Sequence, residues 1–119
     1  MILWGTLIAV GSGCGESKPS VATSTTEATV KGVVTIQGKR AGGGTVFFNP
    51  SNYKRPVGAR QAEIGKDGTY SVKTLVGRNE VRVDGPAVRK DPRFAYQIFS
   101  YVVQEGENTF DIDLRPDSP

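Results

Sequence analysis

One cysteine, no histidine and twelve carboxylates bound the chemistry open to this chain of 119 residues. Without histidine it lacks the usual general base near neutral pH, the usual triad base and the commonest transition-metal ligand. A lone thiol, Cys14, can form neither an internal disulfide nor a cysteine-rich metal site. Asp111 and Asp113 lie two apart, which on a strand puts both carboxylates on one face. Such a pair can hold a cation or run acid–base chemistry. They alternate with Phe110, Ile112 and Leu114, so we read them as the solvated face of a strand. The stretch KDG (66–68) has the glycine end of a calcium loop but lacks alternating acidic ligands and a closing Glu. GKRAGGGT (38–45) has the glycines of a phosphate cradle, but β-forming TVFF follows where a helix N-terminus is required. Both are read as turns. No catalytic, metal-binding or cofactor-binding residue is assigned, and the chain is not expected to be an enzyme.

Cys14 sits between two contrasting segments. Before it run nine mostly apolar residues, Ile2–Val10, and the small residues Gly11, Ser12 and Gly13. After it comes a Ser/Thr-rich polar tract. The apolar run suits an export signal and falls short of the about 20 residues that span a bilayer. Apolar run, small residues, cysteine and polar tract together resemble a bacterial lipoprotein signal. Gly11 stands where that family usually has Leu, and Lys18 is the first basic side chain. The resemblance implies that residues 1–13 are a signal peptide cut off before Cys14. Cys14 then carries the lipid, and 14–27 is a flexible tether. Two or three acyl chains hold far better than one, at about 0.8 kcal/mol per buried CH₂. The protein is then exported and lipid-anchored in the cell envelope, on the periplasmic or outer surface.

The elements that would carry any site begin at Ala28. Val30, Gly32, Val34 and Ile36 share one face of a first strand, and a glycine-rich turn follows at 38–44. Val46 and Phe48 point inward from the next strand, which Pro50 ends. AEIGKDGTYSV (62–72) is a hairpin signal, with Asp67 and Gly68 suited to the positive φ of a tight turn. Val81 and Val83 mark a further strand, and YVVQEGENTFDIDL (101–114) reads as a last hairpin turning at EGEN. Gly85–Gln97 has no period and is expected as a long loop; no segment shows a helical pattern. The predicted core is Val34, Ile36, Val46, Phe48, Tyr70, Val72, Val81, Val83, Phe110, Ile112 and Leu114. The expected fold is all-β: a single antiparallel immunoglobulin-like sandwich of about seven strands over 28–115, with a tail at 116–119.

The runs VKGVVTIQGKRAGGGTVFF, AEIGKDGTYSV and GRNEVRV also resemble the carboxypeptidase regulatory-like domain. That resemblance covers about Val30 to Leu114 and implies a transthyretin-like sandwich. Asn79 stands where that family usually has Tyr, so Tyr70 or Phe94 must supply the packing. In the family this domain commonly accompanies a catalytic peptidase domain, which is absent from these residues.

Two basic segments hold aromatics. Tyr53, Lys54, Arg55 and Arg60 form one; Arg89, Lys90, Arg93, Phe94 and Tyr96 form the other. The second lies in a loop longer than the two to five residues a hairpin needs. The leading reading is that Phe94 and Tyr96 fold back over the sandwich end. The alternative is a binding loop, its rings stacking on sugars while its cations pair with phosphate or carboxylate. Net charge is +3 without a Lys/Arg block, which reads as a solvated basic surface. The leading expectation is a lipid-anchored envelope protein whose sandwich serves interaction or structural support. A carbohydrate- or polyanion-binding module is the alternative. Expected partners are the membrane, through Cys14, and an envelope protein or polysaccharide. Nucleic acid is not expected, and no oligomeric state is assigned.

Overall fold

The computed structural model describes residues 22–116. Cys14, the expected signal peptide and residues 117–119 lie outside the described residues. Nine strands and two short helices run in the order β1 (Glu27–Ile36), β2 (Lys39–Arg40), β3 (Thr45–Asn49), β4 (Arg60–Glu63), β5 (Thr69–Leu75), β6 (Gly77–Asp84), α1 (Pro86–Arg89), α2 (Pro92–Ala95), β7 (Phe99–Val103), β8 (Glu107–Thr109) and β9 (Ile112–Leu114). The sandwich is therefore confirmed, with nine strands rather than about seven. In the first sheet β1 is central. It pairs antiparallel with β5 and β2, and parallel with β8 and β9. The second sheet is antiparallel throughout, in the order β4-β3-β6-β7.

Alternation set the inward faces as expected. Val30, Val34, Val46, Phe48, Tyr70, Val72, Val81, Val83, Ile112 and Leu114 are all buried between the sheets. Ile36 and Phe110 are half-buried against that core. Phe110 stacks on Tyr101 with ring centroids 4.5 Å apart. The Tyr70 hydroxyl donates to the Phe110 carbonyl. Burial, and then the charge of Asp111, push the Tyr70 phenol above its usual range.

The last expected hairpin is not one. β7 stays with β6, and the chain then crosses to the other sheet, where β8 and β9 lie parallel to β1. Asn108 fixes the crossing: its amide donates to the carbonyls of Gln104 (2.9 Å) and Thr29 (3.1 Å), and its oxygen accepts from Gln104 N (2.8 Å). Inward alternation of Phe110, Ile112 and Leu114 is satisfied equally by either partner, so period alone could not choose between them. Between β8 and β9 the backbone of Phe110 presses on Gly32, where a Cβ would come within 2.0 Å of the Phe110 carbonyl oxygen. Only glycine fits that contact.

The stretch Gly85–Gln97 is not an open loop either. Pro86 and Pro92 each open a single helical turn, and Val88 and Phe94 bury the two turns against the sandwich. One turn is too short to show a period. At the other end, part of the segment 14–27 expected as tether is bonded to the body. The carbonyls of Ala22, Ser24 and Thr26 accept from Asn52 Nδ2 (2.9 Å), Arg55 Nη1 (2.8 Å) and Val76 N (2.9 Å).

Phe48 is fully buried and Phe110 is only half so. Phe48→Ala should therefore lower stability by about 3–5 kcal/mol in urea melts. Phe110→Ala should cost less, about 1–3 kcal/mol. Equal losses would contradict this placement of the two rings.

Candidate interaction surface

The candidate binding loop is held by its own charges. Entering α1, the Asp84 carboxylate accepts from Arg89 Nε and Nη2, both at 3.0 Å, and from Gly85 N at 2.7 Å. Asp91 caps α2 by accepting from Arg93 N (3.0 Å) and also receives Arg93 Nε (2.9 Å). The Arg89 bond, and next the Gly85 amide, hold Asp84 below the usual carboxylate range. The same bond raises Arg89. Arg93 does likewise for Asp91. Two of the three expected cations thus already have carboxylate partners. Phe94 is buried, 5% exposed, and folds back onto the core. Lys90 and Tyr96 reach solvent, Tyr96 at 83% exposure.

The other basic segment divides in the same way. Tyr53 is exposed, with Lys54 Nζ 5.9 Å from its ring centre. Arg55 is buried. The two carboxylates on either side of Ile112 bond to β1. Asp111 Oδ1 accepts from Val33 N at 2.9 Å, and Asp113 accepts from Thr35 Oγ1 at 2.6 Å and pairs with Arg115. The Thr35 bond, and then Arg115, hold Asp113 below its usual range. Both carboxylates fasten the parallel β1–β9 seam, which is a structural role. Among the described residues, no cluster of three or more Cys, Asp or Glu could hold a metal ion. No helix there is long and apolar enough to cross a membrane.

Sequence reasoning missed the outer face of the second sheet. Alternation sends Phe47, Glu80, Arg82, Ser100 and Val102 away from the core. The Arg82 guanidinium lies 4.7 Å from the Phe47 ring centre. Beside them is a shallow depression of about 80 Å³ lined by Phe47, Asn49, Ala59, Glu80, Arg82 and Ile98. Four large apolar or aromatic side chains stand well exposed among the described residues: Tyr53, Tyr96, Ile98 and Val102. Three of them fall between positions 96 and 102, on β7 and its approach. The signal in the sequence was the uncharged run QIFSYVVQ (97–104).

Solved structures share the architecture. A DUF3823 family protein from Parabacteroides merdae superposes with a TM-score of 0.59 at 18% identity, over 76% of this chain and 47% of that one. A second, from Bacteroides ovatus, gives a TM-score of 0.51 at 18% identity, over 74% of this chain and 43% of that one. This chain thus spans less than half the length of either, and the likeness is one of fold. No protein-family pattern matches the sequence. No curated protein matches it either.

Because Asp84 already neutralises Arg89, Arg89→Ser should change retention on a heparin matrix less than Lys90→Ser does. Asp84→Asn should strengthen retention by freeing the arginine. A larger loss from Arg89→Ser than from Lys90→Ser would show that the paired arginine still engages anions.

Proposed function

We propose that this chain is a non-catalytic, lipid-anchored module of the cell envelope that presents its sandwich for contact with protein. One observation carries the contact half of this reading. Ile98 and Val102 stand 61% and 56% exposed on the outer face of the second sheet, on or beside an edge strand. Exposed apolar side chains gathered at one place mark interaction sites more often than scattered ones do. The lipoprotein-like context of Cys14 supports the anchoring half, and the absence of histidine supports a non-enzymatic role. Sugar or polyanion binding through the loop is the weaker reading, because Arg89 and Arg93 face carboxylates of this chain and Phe94 is buried.

Mass spectrometry of the membrane fraction should find a mature N-terminus at Cys14 with added acyl mass, and Cys14→Ser should release the protein. An intact Met1 or an unmodified Cys14 thiol on native protein would overturn the anchoring. A photo-cross-linker placed at Ile98 should capture protein in native envelopes, whereas one at Ser71, exposed on β5, should not. Equal capture from both positions would remove the case for this face.

A further inference from the structure

β7 is an open edge. It pairs with β6 alone, and no other strand among the described residues meets its far side. An exposed edge offers unpaired backbone groups to any strand that arrives, and proteins blunt it with charge, proline or short length. The other edges here are blunted in those ways. β4 is four residues long and carries Arg60 and Glu63. β2 is only Lys39–Arg40, and β5 exposes Lys73. β8 is three residues long, and its Glu107 pairs with Lys31 at 3.2 Å. Gln97–Gln104 by contrast holds no charge, no proline and no glycine. Asn108 closes the strand's end by bonding both backbone groups of Gln104. The unguarded edge therefore runs from Ile98 to Val103.

We propose that β7 pairs antiparallel with β7 of a second copy, across a two-fold axis through Tyr101. The two four-stranded sheets then join into one of eight strands. In that register Phe99 faces Val103 of the second copy, Ser100 faces Val102, and Tyr101 faces itself. A two-fold contact uses the same patch twice, so the patch must tolerate itself, and an uncharged strand does. The next rank is complementary. On β6, Arg78 lies opposite Val102 and Glu80 opposite Ser100. Across the seam, one row reads Arg78 and Val102 of one copy, then Ser100 and Glu80 of the other. The two outer-face rows thus each carry Arg78 on one side and Glu80 on the other, the inner-face rows carry no charge, and like charges do not meet across the seam. Pairing stops at two copies, because the joined sheet ends on β4 at both sides. A seam of one strand pair is small and therefore weak in solution. Here the inference rests on the anchoring reading above: two copies held on one membrane gain effective concentration.

The test uses the full chain carrying Cys14→Ser, by sedimentation over a wide concentration range. The mass should move from one copy to two and no further. Val102→Lys puts lysines on both sides of the seam beside Arg78. It should weaken association about tenfold or more while leaving the thermal melt in place, since Val102 is exposed. Mixing Ser100→Cys chains with Val102→Cys chains should give a disulfide-linked pair that neither forms as readily alone. A monomer throughout, an unchanged dimer in Val102→Lys, or growth beyond two copies would each overturn the proposal. A monomer whose Ile98 cross-linker still captures another envelope protein would reject self-pairing and leave the contact reading standing. A monomer that captures nothing would reject both.

Discussion

Arg55 is 3% exposed, and no carboxylate pairs with it among the described residues. Its guanidinium donates instead to four backbone carbonyls: Pro50 (3.0 Å), Ser24 (2.8 Å), Val76 (2.7 Å) and Arg78 (3.4 Å). Burying a charge costs several kcal/mol, and oriented carbonyl dipoles offset part of that. Burial, and then the nearby charge of Arg60, pull the Arg55 guanidinium below its ordinary value. The four acceptors belong to three segments: the strap before β1, the turn after β3 and the β5–β6 corner. Any one of them moving away leaves a buried N–H unsatisfied, at about 1–3 kcal/mol. One side chain therefore couples the entry of the chain to both sheets.

The corner it holds is itself tightly built. Gly77 has φ +108°, and a Cβ there would come within 2.6 Å of Ala22 Cβ, so the strap lies directly on the turn. Beneath it Asn79, fully buried, accepts from Thr74 Oγ1 (2.6 Å) and donates to the carbonyls of Leu75 (3.0 Å) and Gly77 (3.1 Å). A polar knot thus occupies this corner of the core. In the proposed anchoring, Ala22 is where the tether meets the body. The eight residues from Cys14 reach at most about 29 Å. Tension along the tether would meet the sandwich first at Asn52, which bonds the Ala22 carbonyl, and next at Arg55, which bonds that of Ser24.

The parts of the fold legible in the sequence were those set by local spacing. Period-two alternation placed Val46, Phe48, Val81 and Val83 on their inner faces, and KDG turned where expected, with Asp67 Oδ1 accepting from Thr69 N at 3.1 Å. What escaped depended on partners distant in sequence. The crossing after β7 preserves the same alternation as a hairpin, so it shows only in long-range contacts: the pairing of β8 and β9 with β1 and the bond from Asn108 to Thr29. Arg55, beside Lys54 and Pro56, reads as a loop cation, because its acceptors at 24, 76 and 78 are far along the chain. The pairing of Arg89 with Asp84 spans only five residues and is legible in the sequence; of the two rings read as folding back, Phe94 is buried and Tyr96 is exposed, because Tyr96 lies past the end of the helical turn that carries Phe94. The exposed edge of β7 shows as an uncharged run, but its status as an edge follows only from the strand order.

Hydrogen exchange of Arg55→Lys tests most directly whether this guanidinium fastens the strap to the sandwich. Lysine keeps the charge but, with a single ammonium in place of the planar fork, cannot reach four carbonyls. The amide of Val76, which donates to the Thr26 carbonyl, should lose protection together with the start of β1. Amides of Phe48 and Val81, paired within the second sheet, should keep theirs. Unchanged protection at Val76 in a folded Arg55→Lys protein would contradict the account.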